Sequence, residues 1–281
     1  MVFSHGFLKK GGIKMLSIVV IVKNEESRIK ACLISVKWAD EIVIVDNGSS
    51  DETLKIVKDY TDKIIKTNLS DFASLRNLGM KEANGDWVLF VDADERVTAS
   101  LKEEIEVMIS FSEYSAYAIS RRNIIFGTEV KYGPFWPDWV IRLLKKSDFK
   151  EWAGNVHEHP KFTGKLGYSK NSLLHLTHRN IDQIVLKSLE WSKIDAKLRL
   201  DGNHPKMSGW RFLRIFITEV FNQGFLRKGF FNGTVGIMDC LLQSFSMYMT
   251  YVRLWEMQQL KPLEEIYDGI DKELMNNNFK F

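Results

Sequence analysis

Two aspartates spaced i, i+2, Asp92 and Asp94, follow the apolar run Trp87 to Val91. Alternate side chains of an extended segment share a face, so at a strand end this pair can point the same way and share a divalent cation. Hard carboxylate oxygens suit magnesium or manganese, with diphosphate oxygens and water completing the shell. The plainer alternative is an acidic turn in which Asp94 only caps the next helix. Two other polar clusters argue for the metal reading: Asn24-Glu25 and the stretch Asp46 to Asp51. A carboxylate at Asp46 can accept hydrogen bonds from a nucleoside, and the turn Gly48-Ser49-Ser50-Asp51 lets a backbone approach closely. An N-cap and tight turn would use the same residues. Arg76, beside Asn77, either contacts a base or phosphates or is a solvated arginine.

The elements that must position these residues follow from apolar patterning. Leu16 to Val22 is a mostly β-branched run, as in a strand buried on both faces. Lys23-Asn24-Glu25-Glu26 ends it and opens a helical stretch to about Val36. Glu41 to Val45 is a second buried strand; Ser50 or Asp51 can cap a helix reaching about Tyr60. Ile64 and Ile65 mark a third strand, residues 72 to 84 a helix ended at Asn84-Gly85, and Trp87 to Val91 a fourth strand. Strand and helix alternate in units of roughly 25 residues, which predicts an α/β fold with a parallel sheet and helices on both faces. Ligands of such sheets bind outside the carboxyl ends of the strands. All three polar clusters fall there.

After about residue 115 the pattern changes. Short strands are expected at Tyr117 to Ser120, Trp139 to Leu144 and Ser172 to Leu176, with the aromatic loop Tyr132-Gly133-Pro134-Phe135-Trp136-Pro137 between them. From about Ile181 to Tyr267 the chain reads as helical. This divides it into an extension at 1–14, expected to be poorly ordered, a catalytic domain at 15–180 and a helical region at 181–281; Met15 is a candidate start. The 281 residues suit one large domain with an appendage, and 45% hydrophobic with 27% charged residues is ordinary for a folded chain. A net charge of +3 is too mild to argue for nucleic acid. Cys32 and Cys240 lie far apart without metal-type spacing, which suits free thiols in a reducing cytoplasm.

Taken in order, Ile18-Val19-Val20-Ile21-Val22-Lys23-Asn24-Glu25-Glu26, Ile44-Val45-Asp46-Asn47-Gly48-Ser49-Ser50-Asp51, Arg76-Asn77 and Phe90-Val91-Asp92-Ala93-Asp94-Glu95 resemble the motifs of the family 2 glycosyltransferases of the GT-A fold. The resemblance covers about residues 15 to 97. It implies a Rossmann-like, mostly parallel sheet, a nucleotide-sugar donor contacted by Asn24, Glu25, Asp46, Arg76 and Asp92, and a manganese or magnesium ion on Asp92 and Asp94. Asn47 stands where many members carry a second aspartate. A narrower stretch, Arg142-Leu143-Leu144-Lys145, Gly154-Asn155-Val156-His157-Glu158 and Leu173-Leu174-His175, is similar to the lipopolysaccharide-core β-1,4-glucosyltransferase branch. That branch implies Glu158 as general base, inversion by direct displacement, UDP-glucose as donor and a lipopolysaccharide-core or other lipid-linked glycan as acceptor. His175 either completes the metal shell or is structural; His157 and His159 either orient the base or are ordinary loop residues.

The helical end is rich in Phe, Trp, Met and Leu over residues 203 to 256, with Lys206, Arg211, Arg214, Arg227, Lys228 and Arg253 against Glu219, Asp239 and Glu256. Phe212, Ile215, Phe216 and Val220 recur near helical spacing. Either they pack on the catalytic domain, or amphipathic helices lie on an anionic membrane, peripheral and facing the cytoplasm. Gly229 to Val252 is long enough for a span, but Asn232, Asp239, Gln243 and internal glycines argue against one. Two rivals to a transferase share some of these features. A sugar nucleotidyltransferase carries a Gly-rich, Arg-containing loop where this chain has Lys23-Asn24-Glu25-Glu26. A catalytically silent nucleotide-sugar-binding protein needs none of Asp92, Asp94 and Glu158, all of which are present.

Overall fold

Alternate residues of the first strand sort into two cores. In β1 (Leu16–Val22) the side chains of Leu16, Ile18, Val20 and Val22 join one buried cluster, and Val19 joins the other. A strand's side chains alternate faces, so a run apolar at nearly every position must be covered on both sides. Each fully buried branched aliphatic contributes about 1.5–3 kcal/mol. The computed structural model of the chain describes residues 14–111, 113–133, 137–154 and 158–275. Residues 1–13 of the extension expected at 1–14, Asn155-Val156-His157 of the motif before Glu158, and Pro134-Phe135-Trp136 of the aromatic loop lie outside the described residues.

Two compact units are formed, one from the residues up to Ile124 with Pro137–Thr177, the other from Ile125–Trp136 with His178–Phe281. The first opens β1, α1 (Ile29–Val36), β2 (Glu41–Asp46), α2 (Thr53–Val57), β3 (Ile64–Lys66), α3 (Phe72–Glu82), β4 (Trp87–Phe90), β5 (Glu95–Arg96) and α4 (Ala99–Ser110). It continues through β6 (Ala116–Ile125), whose end crosses into the second unit. After β7 (Thr128–Val130), which belongs to that second unit, come β8 (Asp138–Lys145), β9 (Phe149–Ala153), β10 (His159–Phe162) and β11 (Leu166–His175). The main sheet runs in the order β3-β2-β1-β4-β8-β6-β11-β5. Helices α1, α2 and α4 cover one face with Ile29, Leu33, Val57, Leu101 and Ile105. Helix α3 covers the other through Ala73, Leu75 and Met80, so close that a Cβ on Gly79 would collide with the Val19 side chain.

The sheet is parallel across β3, β2, β1 and β4, where every connection contains a helix. Beyond β4 it is mixed: β8 runs antiparallel to β4 and β6, β11 is parallel to β6, and β5 is antiparallel to β11. Parallel neighbours require a long crossover, and among the described residues from β6 to β11 no α-helix supplies one. The predicted strands at Tyr117, Trp139 and Ser172 are present and longer than expected, whereas β5 and the β9–β10 hairpin have no apolar run to announce them.

The second unit is built on α5 (Ile181–Asp201), α6 (Gly209–Phe221), α7 (Gly233–Met257) and α8 (Leu263–Met275). Along the α5–α7 seam Arg253 donates to Ser192 Oγ at 2.8 Å and the Arg199 guanidinium sits 4.7 Å from the Tyr251 ring centre. Asn232 ties the aromatic loop in, accepting from the backbone amides of Lys131 and Tyr132 at 2.9 and 3.2 Å. Among the described residues no helix is long and apolar enough to cross a membrane.

Candidate active site

At the carboxyl ends of β1 and β2 the two following loops are laced together. Asn24 adopts a left-handed φ of 55°, a conformation asparagine tolerates better than most residues. Its amide donates to Ser49 Oγ at 3.0 Å and its side-chain oxygen accepts from Ser50 N at 2.8 Å. Glu25 N donates to Thr53 Oγ1, and Glu26 N to Asp51 Oδ2. Asp51 Oδ1 in turn accepts from Thr53 N at 3.0 Å, but the residue that caps α2 is Glu52 and not the expected Ser50 or Asp51. Asp46 is buried, and its Oδ1 accepts from Ser49 N at 3.1 Å across the turn that Gly48 makes with φ 82°. Glu25 is paired with Arg28 at 2.6 Å. Burial pushes its carboxyl above the usual range against the pull of Arg28, and the Asp94 carboxylate pushes the same way.

At the end of β4 the two aspartates face different partners. Asp92 is held by Arg76, whose Nη2 lies 3.2 Å from Oδ1, and by a very close pairing of Arg142 Nη2 with Oδ2. Burial opposes its ionisation, but the charges of Arg142, Arg76 and Arg121 outweigh that and hold the carboxyl well below the carboxylate range. Arg142 also donates to Glu95 Oε1 at 2.9 Å. Glu95 is fully buried, and its other oxygen accepts from Asp92 N at 3.0 Å, fixing the turn between the aspartates. Arg121 meets Glu95 Oε1 at 3.4 Å and grips Asp138 with two bonds of 2.8 and 3.0 Å. Arg142 reaches this network because it is the extra residue of a bulge: Tyr117 pairs with Leu143 and Ala118 with Ile141, and such irregularities re-aim a side chain.

Asp94 faces His175, with Oδ2 3.5 Å from Nε2. The short strand β5 brings them together, since Glu95 pairs with His175 in register and Leu176 N bonds to Asp94 O. On its other side His175 pairs with Asn123, whose Oδ1 lies 2.6 Å from Nδ1. Asn123 Nδ2 donates to Asp138 Oδ2 at 2.9 Å, so its amide is oriented with the oxygen toward the ring. His175 is thus oriented by Asn123 at Nδ1 and presents Nε2 to Asp94. Burial opposes ionisation of Asp94, yet the bond and charge of His175 hold its carboxyl below the ordinary value. The Asp94 carboxylate is a hard oxygen ligand suited to manganese or magnesium, and the His175 nitrogen lies beside it. Among the described residues no three His, Cys, Asp or Glu side chains are grouped to hold a metal alone. A cation at Asp94 and His175 would need further oxygens from the donor and water.

Arg76, buried on α3, packs against both Phe90 and Trp152, its guanidinium carbon 5.5 and 5.0 Å from their ring centres, and the two rings meet edge to face at 5.2 Å. Trp152 is fixed by its neighbour Asn77, which donates to Trp152 O at 2.9 Å and accepts from Trp152 N at 2.8 Å. Arg76 Nε donates to Glu158 Oε1 at 3.3 Å. The arginine expected to meet base or phosphate thus has two carboxylates as its partners. His159 starts β10 and is exposed, while His157 lies outside the described residues.

Residues 17–164 match the family described as glycosyl transferase family 2. The chain belongs to that family. This family 2 glycosyltransferase has the α/β sheet flanked by helices that the GT-A resemblance implied, though mixed rather than mostly parallel beyond β4. It also has the helical C-terminal region that the patterning after Ile181 predicted. It is 29% identical over 260 residues to an uncharacterized glycosyltransferase of Rickettsia typhi, covering 87% of this chain and 88% of that one. It is 25% identical over 272 residues to the lipopolysaccharide core biosynthesis glycosyltransferase LpsC of Rhizobium meliloti, covering 91% and 97%. Among solved structures it is similar to S. aureus TarS 1-349, with a TM-score of 0.43, 15% identity and coverage of 88% and 93%.

Arg121, Asn123 and Asp138 carry no sequence signal of their own, and Glu95 and Arg142 stand out only within motifs. One signal was present. An arginine inside Val140-Ile141-Arg142-Leu143-Leu144 has to be paired when its strand is buried.

Proposed function

We propose that this glycosyltransferase transfers glucose from UDP-glucose to a hydroxyl of a lipopolysaccharide-core or other lipid-linked glycan, with inversion and with a divalent metal. The observation that carries the reading is the convergence of Asp94 and His175 beside Asp92, with Glu158 linked to Asp92 through Arg76. The 25% identity to LpsC over nearly its whole length supports the acceptor class. An acceptor of that kind would be met at the inner face of the cytoplasmic membrane.

Asp46 and the turn at Gly48 hold the nucleoside, with Asn24 and Glu25 shaping the adjoining loop. Asp92, Asp94 and His175 would hold a manganese or magnesium ion, whose charge would stabilise the departing diphosphate when bound. Arg76 and Arg142 keep the Asp92 carboxylate in place, and Arg76 holds Glu158. Glu158 takes the proton of the acceptor hydroxyl as that oxygen attacks the anomeric carbon opposite the leaving group.

The test is release of nucleoside diphosphate from a panel of nucleotide sugars, with and without manganese, in the presence of lipid-linked glycan. Metal-dependent release from UDP-glucose is the expected result. Release from a different donor alone overturns the glucose assignment, and release unaffected by chelation overturns the metal.

A further inference from the structure

The outward face of α6 is apolar although its inward face is already packed. Phe212 and Ile215 join the small core of the helical unit, and Phe212 and Phe216 lie 5.6 and 5.9 Å from the Tyr248 ring of α7. On the opposite side Trp210, Leu213, Ile217 and Phe221 recur at spacings of three and four residues, forming one stripe. Trp210 is 70% exposed and Ile217 58%, and no residue of α6 is fully buried. The stripe runs on into the turn after the helix, where Phe225 and Leu226 stand out, Leu226 at 66%.

The charges beside this stripe favour one occupant. From Lys206 to Phe231 there are five basic residues and one acidic one. The single acid, Glu219, is half-buried and accepts from Gln223 Nε2 at 2.5 Å. Arg214 is exposed on the helix, and Arg227 and Lys228 are exposed at its end beside Phe225 and Leu226. An aromatic and aliphatic face edged by arginine and lysine is the pattern of a helix lying in the headgroup layer of an acidic membrane. A second copy of this chain would set these like charges against one another.

We propose that α6 and the turn through Lys228 form a docking surface for a bilayer containing acidic phospholipid, with the helix lying in the interface and not crossing it. The inference uses only the helical unit and holds whichever donor the sheet domain takes.

Co-sedimentation of the full chain with vesicles tests it, using phosphatidylcholine alone and phosphatidylcholine mixed with phosphatidylglycerol. The chain binds the mixed vesicles, not the neutral ones, and loses affinity as salt rises. The double substitution Phe225→Ser with Leu226→Ser, at exposed positions, weakens binding by on the order of tenfold or more. Arg227→Glu with Lys228→Glu does the same by a separate route. Equal binding to both vesicles, or to neither, overturns the proposal. A concentration-dependent dimer abolished by the apolar pair, with no vesicle binding, assigns the face to a second copy instead.

Discussion

Arg76 donates from Nε to Glu158 Oε1 across 3.3 Å, and the same guanidinium reaches Asp92 Oδ1 from Nη2 at 3.2 Å. Packed against both Phe90 and Trp152, it joins the proposed base to the acidic end of β4. Glu158→Gln keeps an oxygen for Arg76 but removes the proton acceptor. Turnover falls by about 10²- to 10⁴-fold while donor affinity is retained, as read by steady-state rates beside a nucleotide-sugar titration. Wild-type turnover in the variant rejects the base assignment.

Asp94 and His175 are expected to act together on the metal. Asp94→Ala or His175→Ala removes most manganese-dependent donor affinity, measured by titration calorimetry with and without the ion. Asn123→Ala leaves the ligand in place but frees its ring, and losses of this kind run to about 10- to 100-fold in metal affinity. Unchanged manganese affinity in all three variants would show that the ion is held elsewhere.

Arg142 neutralises two carboxylates, Asp92 and fully buried Glu95. Arg142→Met leaves Asp92 to Arg76 and Glu95 to Arg121, at 3.2 and 3.4 Å, and breaking a buried pair costs about 3–5 kcal/mol. The urea midpoint drops accordingly. Arg142→Lys recovers only part of it, because a lysine lacks the planar fork. An unaltered midpoint in the methionine variant would mean the network does not stabilise the fold.

Glu41, at the start of β2, gives a pH prediction away from the site. Burial opposes its charge, but the Asn84 backbone amide, Lys63 and the Ser17 hydroxyl together hold its pKa below the ordinary glutamate value. A carboxylate with a lower pKa in the folded state adds stability above its unfolded value of about 4.3, and loses it as pH falls through the folded value. Glu41→Gln therefore flattens the acid limb of the stability curve and lowers stability at neutral pH. Equal slopes for variant and wild type would remove Glu41 from the acid transition.

The helical end shows how an ambiguous pattern divides. Phe212, Ile215 and Phe216 were legible as a helical stripe, and they do pack inward on α7. Trp210, Ile217 and Phe221 were part of the same apolar stretch, yet they face solvent. Apolar residues on both sides of a helix cannot by spacing alone reveal which side finds a neighbour.

By itself the sequence determined the parallel half of the sheet and the delivery of Asp46, Asp92 and Asp94 to strand ends. Those features rest on local signals, the apolar runs and the regular strand–helix alternation, which act over a few tens of residues. Only the tertiary structure decided that Asp92 turns to Arg76 and Arg142 while Asp94 turns to His175. Arg142 and Asp92 lie 50 residues apart, and His175 and Asn123 52 apart. Their meeting depends on strand register, on the bulge at Arg142 and on the two-residue strand at Glu95. Register is set by which faces the whole sheet must bury, so no local stretch of the chain carries it.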